Sequence, residues 1–497
     1  PPQKCAKRSG RMKKEILRLE SVSQPPYLDE VTLHICEGEI VGIIPINNLG
    51  INELVSVITS NTPIHYGHVF FEGICVDDYL GQASKENKVM VIAKEGTLIN
   101  SLNIEDNLFV LRKGARHYVV RKKLLNDQSR RLLEDIGLQL NPKTLVGELP
   151  YFTQVALEFA KALVTGTKLV IVRDLSSFVQ ASYLEQLHQM IRKLKQRGIS
   201  FLYICNHHQE SFLICDRCYL QKEGHMIKCL EPFEMTDEVM AHYDTVFSDK
   251  VESSERQSLF AQYRPTTHRV FQTNNLCFHS LRNLTMTIQE GETVVILGDD
   301  DSLVDDFFLV LEGVFKLDAS IVSLDETSLT PRDRRISLVG KNPLKNALFY
   351  ELSVIDNICF CADHKLKNLW RIPRLRRSIA TQLAQELGPW IYNKDLYELS
   401  TSQFYEVLFQ RILLQNPRLA VFVQPFSTLD MYQRIRTIEY FDMFRKKGIA
   451  VCILAVSLSD SLQIADRLLV IENGQISKVY QRSEFSTYRG IAGSKPK

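Results

Sequence analysis

Residues 38–44 read GEIVGII, and residues 291–297 read GETVVIL. Each run follows a segment in which apolar and polar residues alternate, VTLHICEGEI (31–40) in the first copy and LTMTIQEGET (284–293) in the second. Alternation of period two marks a half-exposed strand, and the Glu-Gly pair marks a tight turn. The apolar run after the turn suits a strand buried on both faces. The same strand–turn–strand unit therefore opens two halves of one chain.

Later landmarks recur in the same order. SLNIEDNLF (101–109) matches ELSVIDNICF (351–360), LVIVRDLSS (169–177) matches LAVFVQPFS (419–427), and ICDRCYLQKEG (214–224) matches IADRLLVIENG (464–474). Apolar residues at i, i+3 and i+4 predict helices over YLEQLHQMIRKLKQRG (183–198) and YQRIRTIEYFDMFRKKG (432–448). Each ends at a glycine, as a helix C-terminus should, before an apolar strand, ISFLYIC or IAVCILAV. Strands alternating with helices imply α/β domains on largely parallel sheets. The expected organisation is a basic N-terminal extension (1–14), a first domain (15–245), a polar linker (246–268), a second domain (269–490) and a short tail (491–497).

Composition bounds what such a chain does. Of 497 residues, 45% are hydrophobic and 24% charged, ordinary values for a globular protein of more than one domain. A formal net charge of +2 argues against a strongly basic nucleic-acid binder. The basic stretch PPQKCAKRSGRMKK is not followed by an apolar run, so it does not read as a secretory signal. No uninterrupted apolar segment reaches the ~18 residues of a membrane span, and the expected location is the cytoplasm. The eleven cysteines form no framework, and the single CxxC, Cys215 to Cys218, has no second pair at zinc-ligand spacing, so no metal site is expected.

The segment LVGELPYFTQVALEFAKAL (145–163) falls in register with LVGxLSxGxxQxVEIAKxL, the signature segment of the ATP-binding subunits of bacterial ABC importers for ribose, galactose and similar sugars. KEGTLINSLNIEDNLF (94–109) resembles the segment after that family's Q-loop, and the order of landmarks matches from about residue 15 to 490. The resemblance implies two tandem ABC-type nucleotide-binding domains of the P-loop NTPase class. Each would carry a mostly parallel sheet, an antiparallel β subdomain and a helical subdomain. It also implies ATP and Mg²⁺ as ligands and a membrane permease as partner.

At the positions that handle nucleotide in the family, the residues differ. A working site needs backbone N–H groups around the phosphates, a Lys to neutralise them and a Ser/Thr on Mg²⁺. In IIPINNLGINEL (43–54) Gly50 remains, but Ile51 stands for the Lys, Asn52 for the hydroxyl residue, and Pro45 removes a donor. Loss of the Lys forfeits a contact of roughly 1.5–3 kcal/mol. In ILGDDDSLVDDFF (296–308) Gly298 remains, Val304 stands for the Lys and Asp305 for the hydroxyl residue. Five carboxylates, from Asp299, Asp300, Asp301, Asp305 and Asp306, are expected to crowd that loop and repel a polyphosphate; the cluster reads as a solvated loop, with a cation site as the sharper alternative. Lys94 and Lys341 stand at the Q-loop positions. The first signature has Pro150 for Ser and Phe152 for Gly; the second, LSTSQFYEV (399–407), keeps Ser400 but has Thr401 and Ser402 for the glycines. Arg173 and Asp174 in one half, and Val423 and Gln424 in the other, stand for the Walker B Asp and catalytic Glu. Asn206 and Val456 stand for the switch His.

The expectation is a degenerate cassette protein with no catalytic residues and no cofactor, acting as a scaffold or regulator through a protein partner such as a permease or a sensor, and possible as a homodimer. The alternative is a divergent but working importer subunit that uses ATP and Mg²⁺ and docks through segments near 94–112 and 341–360. Two basic segments, RKGARHYVVRKK (112–123) and RIPRLRR (371–377), read as solvated faces or as contacts for acidic lipid headgroups.

Overall fold

The computed structural model describes residues 14–77, 87–94, 96–110, 122–177, 179, 181–243, 266–298, 301–313, 320–331, 333–341, 343–361, 372–427, 429–456, 458 and 461–487. Most of the expected linker, the tail, nearly all of the N-terminal extension, residues 112–121, and Asp299 with Asp300 lie outside them. The chain divides into two compact units whose principal segments are Pro1–Glu252 and, for the second, Ser253–Leu429 with Gln433–Arg489.

In the first unit, β1 (Glu15–Gln24), β2 (Leu28–Cys36), β4 (Tyr66–Phe71) and β5 (Ile74–Cys75) form an antiparallel sheet in the order β2-β1-β4-β5. The main sheet runs β10-β9-β3-β8-β7-β6, from β3 (Ile40–Pro45), β6 (Val89–Ile92), β7 (Leu169–Arg173), β8 (Ser200–Ile204), β9 (Arg217–Lys222) and β10 (His225–Leu230). Its pairings are parallel except β10 with β9. All six residues of β3 are buried, because both faces of the sheet are covered. Val41, Ile43, Ile171 and Leu202 pack towards the antiparallel sheet and helix Ile51–Ser60. Ile40, Val170, Val172 and Phe201 pack towards helices Tyr151–Val164 and Ala181–Gln196.

The second unit repeats this order. Its antiparallel sheet is β12-β11-β14-β15, from β11 (Arg269–Phe278), β12 (Leu281–Gln289), β14 (Val322–Leu324) and β15 (Thr327–Ser328). The main sheet is β16-β17-β18-β13-β19-β20, from β13 (Thr293–Leu297), β16 (Ile336–Val339), β17 (Leu419–Val423), β18 (Ala450–Ala455), β19 (Arg467–Glu472) and β20 (Gln475–Gln481). The expected helices occupy Ala181–Gln196 and Met431–Lys446, and the glycines after them, Gly198 and Gly448, have φ of 87° and 76°.

The repeated sequence landmarks turn out to be hydrogen-bonding devices. The Asp-Arg pair before β9 and β19 clamps the start of the central strand. Asp216 accepts the Ile40 N–H at 2.8 Å, and Asp466 accepts the Thr293 N–H at 2.9 Å. Arg217 pairs with Glu39 at 2.8 Å and Arg467 with Glu292 at 2.6 Å, the two glutamates being those of the GE repeats. Buried Asn107 receives the Ile99 N–H at 2.8 Å and returns a bond to the Ile99 carbonyl at 3.0 Å. Buried Asn357 does the same with Phe349, at 2.9 and 2.8 Å. Each amide closes a loop whose backbone would otherwise lose partners.

Candidate functional site

In both units the described phosphate-loop, Q-loop, Walker B and switch positions lie at or follow the carboxyl ends of parallel strands, where ligands bind open α/β sheets, whereas the signature positions start helices. In the first unit the chain leaves β3 at Pro45, crosses residues 46–50 and enters helix Ile51–Ser60. The loop is fastened towards β9: Ile46 N–H donates to the Gln221 carbonyl at 2.8 Å, Gln221 Nε2 to the Leu49 carbonyl at 2.6 Å, and Glu223 N–H to Asn47 Oδ1 at 2.9 Å. Gly50 has φ of 82°, and a Cβ there would lie 2.3 Å from the Tyr27 carbonyl oxygen. Glycine at 50 thus has a packing cause that needs no phosphate. Ile51 is buried in the core beside Leu54.

Asn52, in the first turn of that helix, meets the end of β7: its Oδ1 accepts from Arg173 Nη1 at 2.9 Å. Asp174 follows in left-handed backbone, φ 46°, and its N–H donates to the Ile204 carbonyl at 2.9 Å. Its Oδ1 accepts the Asn206 N–H at 3.1 Å, so the carboxylate bridges the ends of β7 and β8.

In the second unit, Gly298 N–H donates to the Ala455 carbonyl at 2.9 Å, and helix Asp301–Leu311 follows. Val304 is buried in the core. Asp305 Oδ1 pairs with Lys341 Nζ at 2.8 Å. Asp306 turns instead to the β11–β12 turn, accepting from Ser280 Oγ at 2.6 Å, Ser280 N–H at 3.0 Å and His279 Nδ1 at 3.2 Å. Partial burial opposes its ionisation, but these bonds win and hold the carboxyl below its usual range. The expectation of crowded carboxylates needs correcting for Asp305 and Asp306; Asp299, Asp300 and the Asp301 side chain lie outside the described residues. Adjacent residues on a helix point about 100° apart, so Asp305 and Asp306 diverge to separate partners.

At the end of β17, Val423 is buried and Gln424 has φ of 48°, with its N–H on the Leu454 carbonyl at 2.8 Å. That backbone is the counterpart of Asp174. Val456, just past β18, is buried. A small, mostly apolar cleft lies beside these residues, lined by Gly340, Lys341, Tyr405, Gln424, Pro425 and Ser427 among others.

The two signature positions are occupied differently. Helix Tyr151–Val164 starts at Pro150 without a side-chain cap. Tyr151 Oη donates to the Lys94 carbonyl at 2.7 Å, and the Phe152 ring stacks on Tyr183 at 4.6 Å. Ser400 caps helix Thr401–Gln415 in a capping box with Gln403, so its hydroxyl serves its own helix. Ser402 is exposed in the first turn.

Sequence reading missed a buried polar network under the first site. Tyr203 Oη donates to Glu210 and lies 3.1 Å from His188 Nε2, and Cys205 Sγ is 3.1 Å from Glu210 Oε2. Burial raises the Glu210 pKa and lowers that of His188 to about 4. These residues sit at unrelated sequence positions, and only the fold gathers them.

Each unit has the fold expected of an ABC-type nucleotide-binding domain, a six-stranded and mostly parallel sheet with a four-stranded antiparallel sheet. No family model matches the chain. The ribose import ATP-binding protein RbsA of Clostridium perfringens is 22% identical over 475 residues, covering 92% of this chain and 93% of the relative. RbsA of Caldanaerobacter subterraneus is 21% identical over 485 residues, covering 94% and 97%. The galactose/methyl galactoside import ATP-binding protein MglA of Salmonella typhimurium is 21% identical over 465 residues, covering 91% of each. Among solved structures, the ADP conformation of an ATP-binding cassette of an ABC transporter matches with a TM-score of 0.40 and 20% identity, over 46% of this chain and 95% of that one. The cbiO1 protein of Clostridium perfringens matches with a TM-score of 0.40 and 15% identity, over 49% and 100%. The chain is thus similar, along almost its whole length, to ribose and galactose/methyl galactoside import ATP-binding proteins.

Proposed function

We propose that this protein is a catalytically impaired tandem cassette that serves a sugar-uptake or sugar-sensing system as a scaffold or regulator. The observation that carries the reading is a pair of internal contacts to corresponding residues, made from different strand ends in the two units. Arg173 reaches Asn52 in the first unit, and Lys341 reaches Asp305 in the second. Asn52 and Asp305 stand where the family places its Mg²⁺-binding hydroxyl. In each unit a cationic side chain of the protein itself meets that residue, on the side of the strand ends. A divalent cation fits poorly there, because a fixed positive charge repels it, and Ile51 and Val304 lack the charge that the family's Lys gives the phosphates.

Asp174 is the one acid at the positions that stand for the catalytic Glu, the other being Gln424, and it already accepts the Asn206 N–H. Steady-state ATP turnover by the purified protein tests the reading. Turnover at background, unchanged in Asp174→Ala, is the expected result; turnover well above background that Asp174→Ala abolishes would overturn it.

A second reading is a divergent but working ATP-binding subunit at the cytoplasmic face of a membrane, docked on a permease. Two observations favour it. The relatives are named as import ATP-binding proteins, and the segment after β16 exposes Phe349 and Phe360, whose rings lie 4.6 Å apart. No helix among the described residues is long and apolar enough to cross a membrane, so transport would need a separate membrane partner. Co-purification of a permease with the tagged protein, lost in Phe349→Asp, would support it.

A further inference from the structure

We propose that the β4–β5 hairpin holds a transition-metal site, built from His68, Cys75 and Asp77 and suited to Zn²⁺. The three side chains present donor atoms that all lie within 4.8 Å of one another. His68 Nδ1 is 2.7 Å and Cys75 Sγ 3.1 Å from the same carboxylate oxygen, Asp77 Oδ2. Asp77 Oδ1 accepts the Val69 N–H, which fixes the carboxylate and leaves Oδ2 facing the two softer donors.

The backbone sets this geometry. Phe70 pairs with Cys75 and Phe71 with Ile74 across the hairpin, and the Val76 N–H donates to the Val69 carbonyl at 2.8 Å. The turn residues Glu72 and Gly73 have φ of 51° and 81°, the two successive left-handed residues of a tight two-residue turn. His68 and Phe70 share a strand face, and Cys75 lies opposite Phe70, so imidazole and thiol converge on one side. The Asp77 side chain is 7% exposed while that of His68 is 57% exposed, so an ion could reach donors whose anchor is buried.

One imidazole nitrogen, one thiolate and one carboxylate oxygen form a three-ligand set typical of zinc with a water in the fourth place. Bound donors would stand about half an ångström further apart than the present hydrogen bonds, a change the exposed His68 and Cys75 side chains can make by rotation. On metal binding the Cys75 thiol proton passes to solvent, and the imidazole proton leaves Nδ1 for Nε2 by exchange with water, which frees Nδ1 to ligate. A neighbouring fixed cation, Arg18, stacks on Phe70 at 3.8 Å and is engaged by Glu15 at 3.0 Å and by Glu20. The donors belong to the β4–β5 hairpin of the antiparallel sheet and not to the strand-end loops of the main sheet, so the site stands whatever becomes of the nucleotide reading.

Anaerobic titration of the full-length protein with Co²⁺, followed by its thiolate charge-transfer absorption and then by Zn²⁺ competition, tests the proposal. The expected result is saturation at one equivalent, loss of the band in Cys75→Ser, and affinity weakened by more than about tenfold in His68→Gln. Cys215→Ser, a buried thiol elsewhere in the unit, should leave the titration unchanged. Absence of binding by the wild type at micromolar free metal, or a titration unaltered in Cys75→Ser, would overturn it; circular dichroism of each variant confirms that the fold is kept.

Discussion

The guanidinium Nη1 of Arg173 donates to Oδ1 of Asn52 at 2.9 Å, joining the carboxyl end of β7 to the first turn of the helix that follows β3. The contact is solvent-accessible, so its worth to stability is small. A double-mutant cycle with Arg173→Ala and Asn52→Ala should give a coupling below about 1 kcal/mol by urea unfolding. The corresponding cycle for Lys341 and Asp305, whose side chains are 23% and 58% exposed, should give a similarly small value that 1 M salt reduces. Large couplings would mean that these contacts exist to hold the fold.

The Asp-Arg clamps should behave in the opposite way. Arg217 and Glu39 are largely buried and hydrogen-bonded, as are Arg467 and Glu292. Removing one partner leaves a charge without its counter-ion, and Arg217→Met or Arg467→Met should each cost about 3–5 kcal/mol of unfolding free energy. A loss under about 1 kcal/mol in either variant would contradict the assignment.

Asn107 and Asn357 each satisfy both the N–H and the carbonyl of a residue eight positions earlier. Truncation to alanine strands those backbone groups, at about 1–3 kcal/mol for each group left buried without a partner. Hydrogen exchange should then quicken at Ile99 in Asn107→Ala and at Phe349 in Asn357→Ala, while the central strands stay protected.

These devices mark how far the sequence could be read. The paired strands, the Glu-Gly turns and the helices ending at Gly198 and Gly448 were all legible, because hydrophobic period and turn chemistry are local. The recurrence of DNLF against DNIC and of DRC against DRL was visible as well, but its cause was not, since Asn107, Arg217 and their counterparts act through partners that only the fold brings near. The same limit hid the pairing of Arg173 with Asn52 and of Lys341 with Asp305. Each residue stood out by position, yet a contact across 121 residues has no local signature. Counting aspartates in DDDSLVDD suggested crowding, whereas helical geometry sends Asp305 and Asp306 to different neighbours.

A pH dependence follows from the buried network of the first unit. Burial chiefly, with Arg192 nearby, lowers the His188 pKa to about 4, against 6.5 for a free imidazole. The folded state therefore keeps His188 neutral where the unfolded chain binds a proton. Stability should fall as pH drops from about 6.5 to about 4, by an amount on the order of 3 kcal/mol. Glu210, which faces His188 with Tyr203, Cys205 and Asp174 around it, is raised by burial, and its contribution is lost as pH rises above the ordinary carboxylate range. The two act in opposite senses, so the His188 part is isolated by difference. Urea unfolding of wild type and His188→Gln from pH 4 to 7 should show the acid-side loss only where the histidine is present.

The central claim concerns the nucleotide. Isothermal titration of the full-length protein with ATP and Mg²⁺ tests it most directly. The account predicts no saturable heat up to millimolar nucleotide, because side-chain cations already meet Asn52 and Asp305 while Ile51 and Val304 lie in the core. Saturable, magnesium-dependent binding in the micromolar range would contradict it.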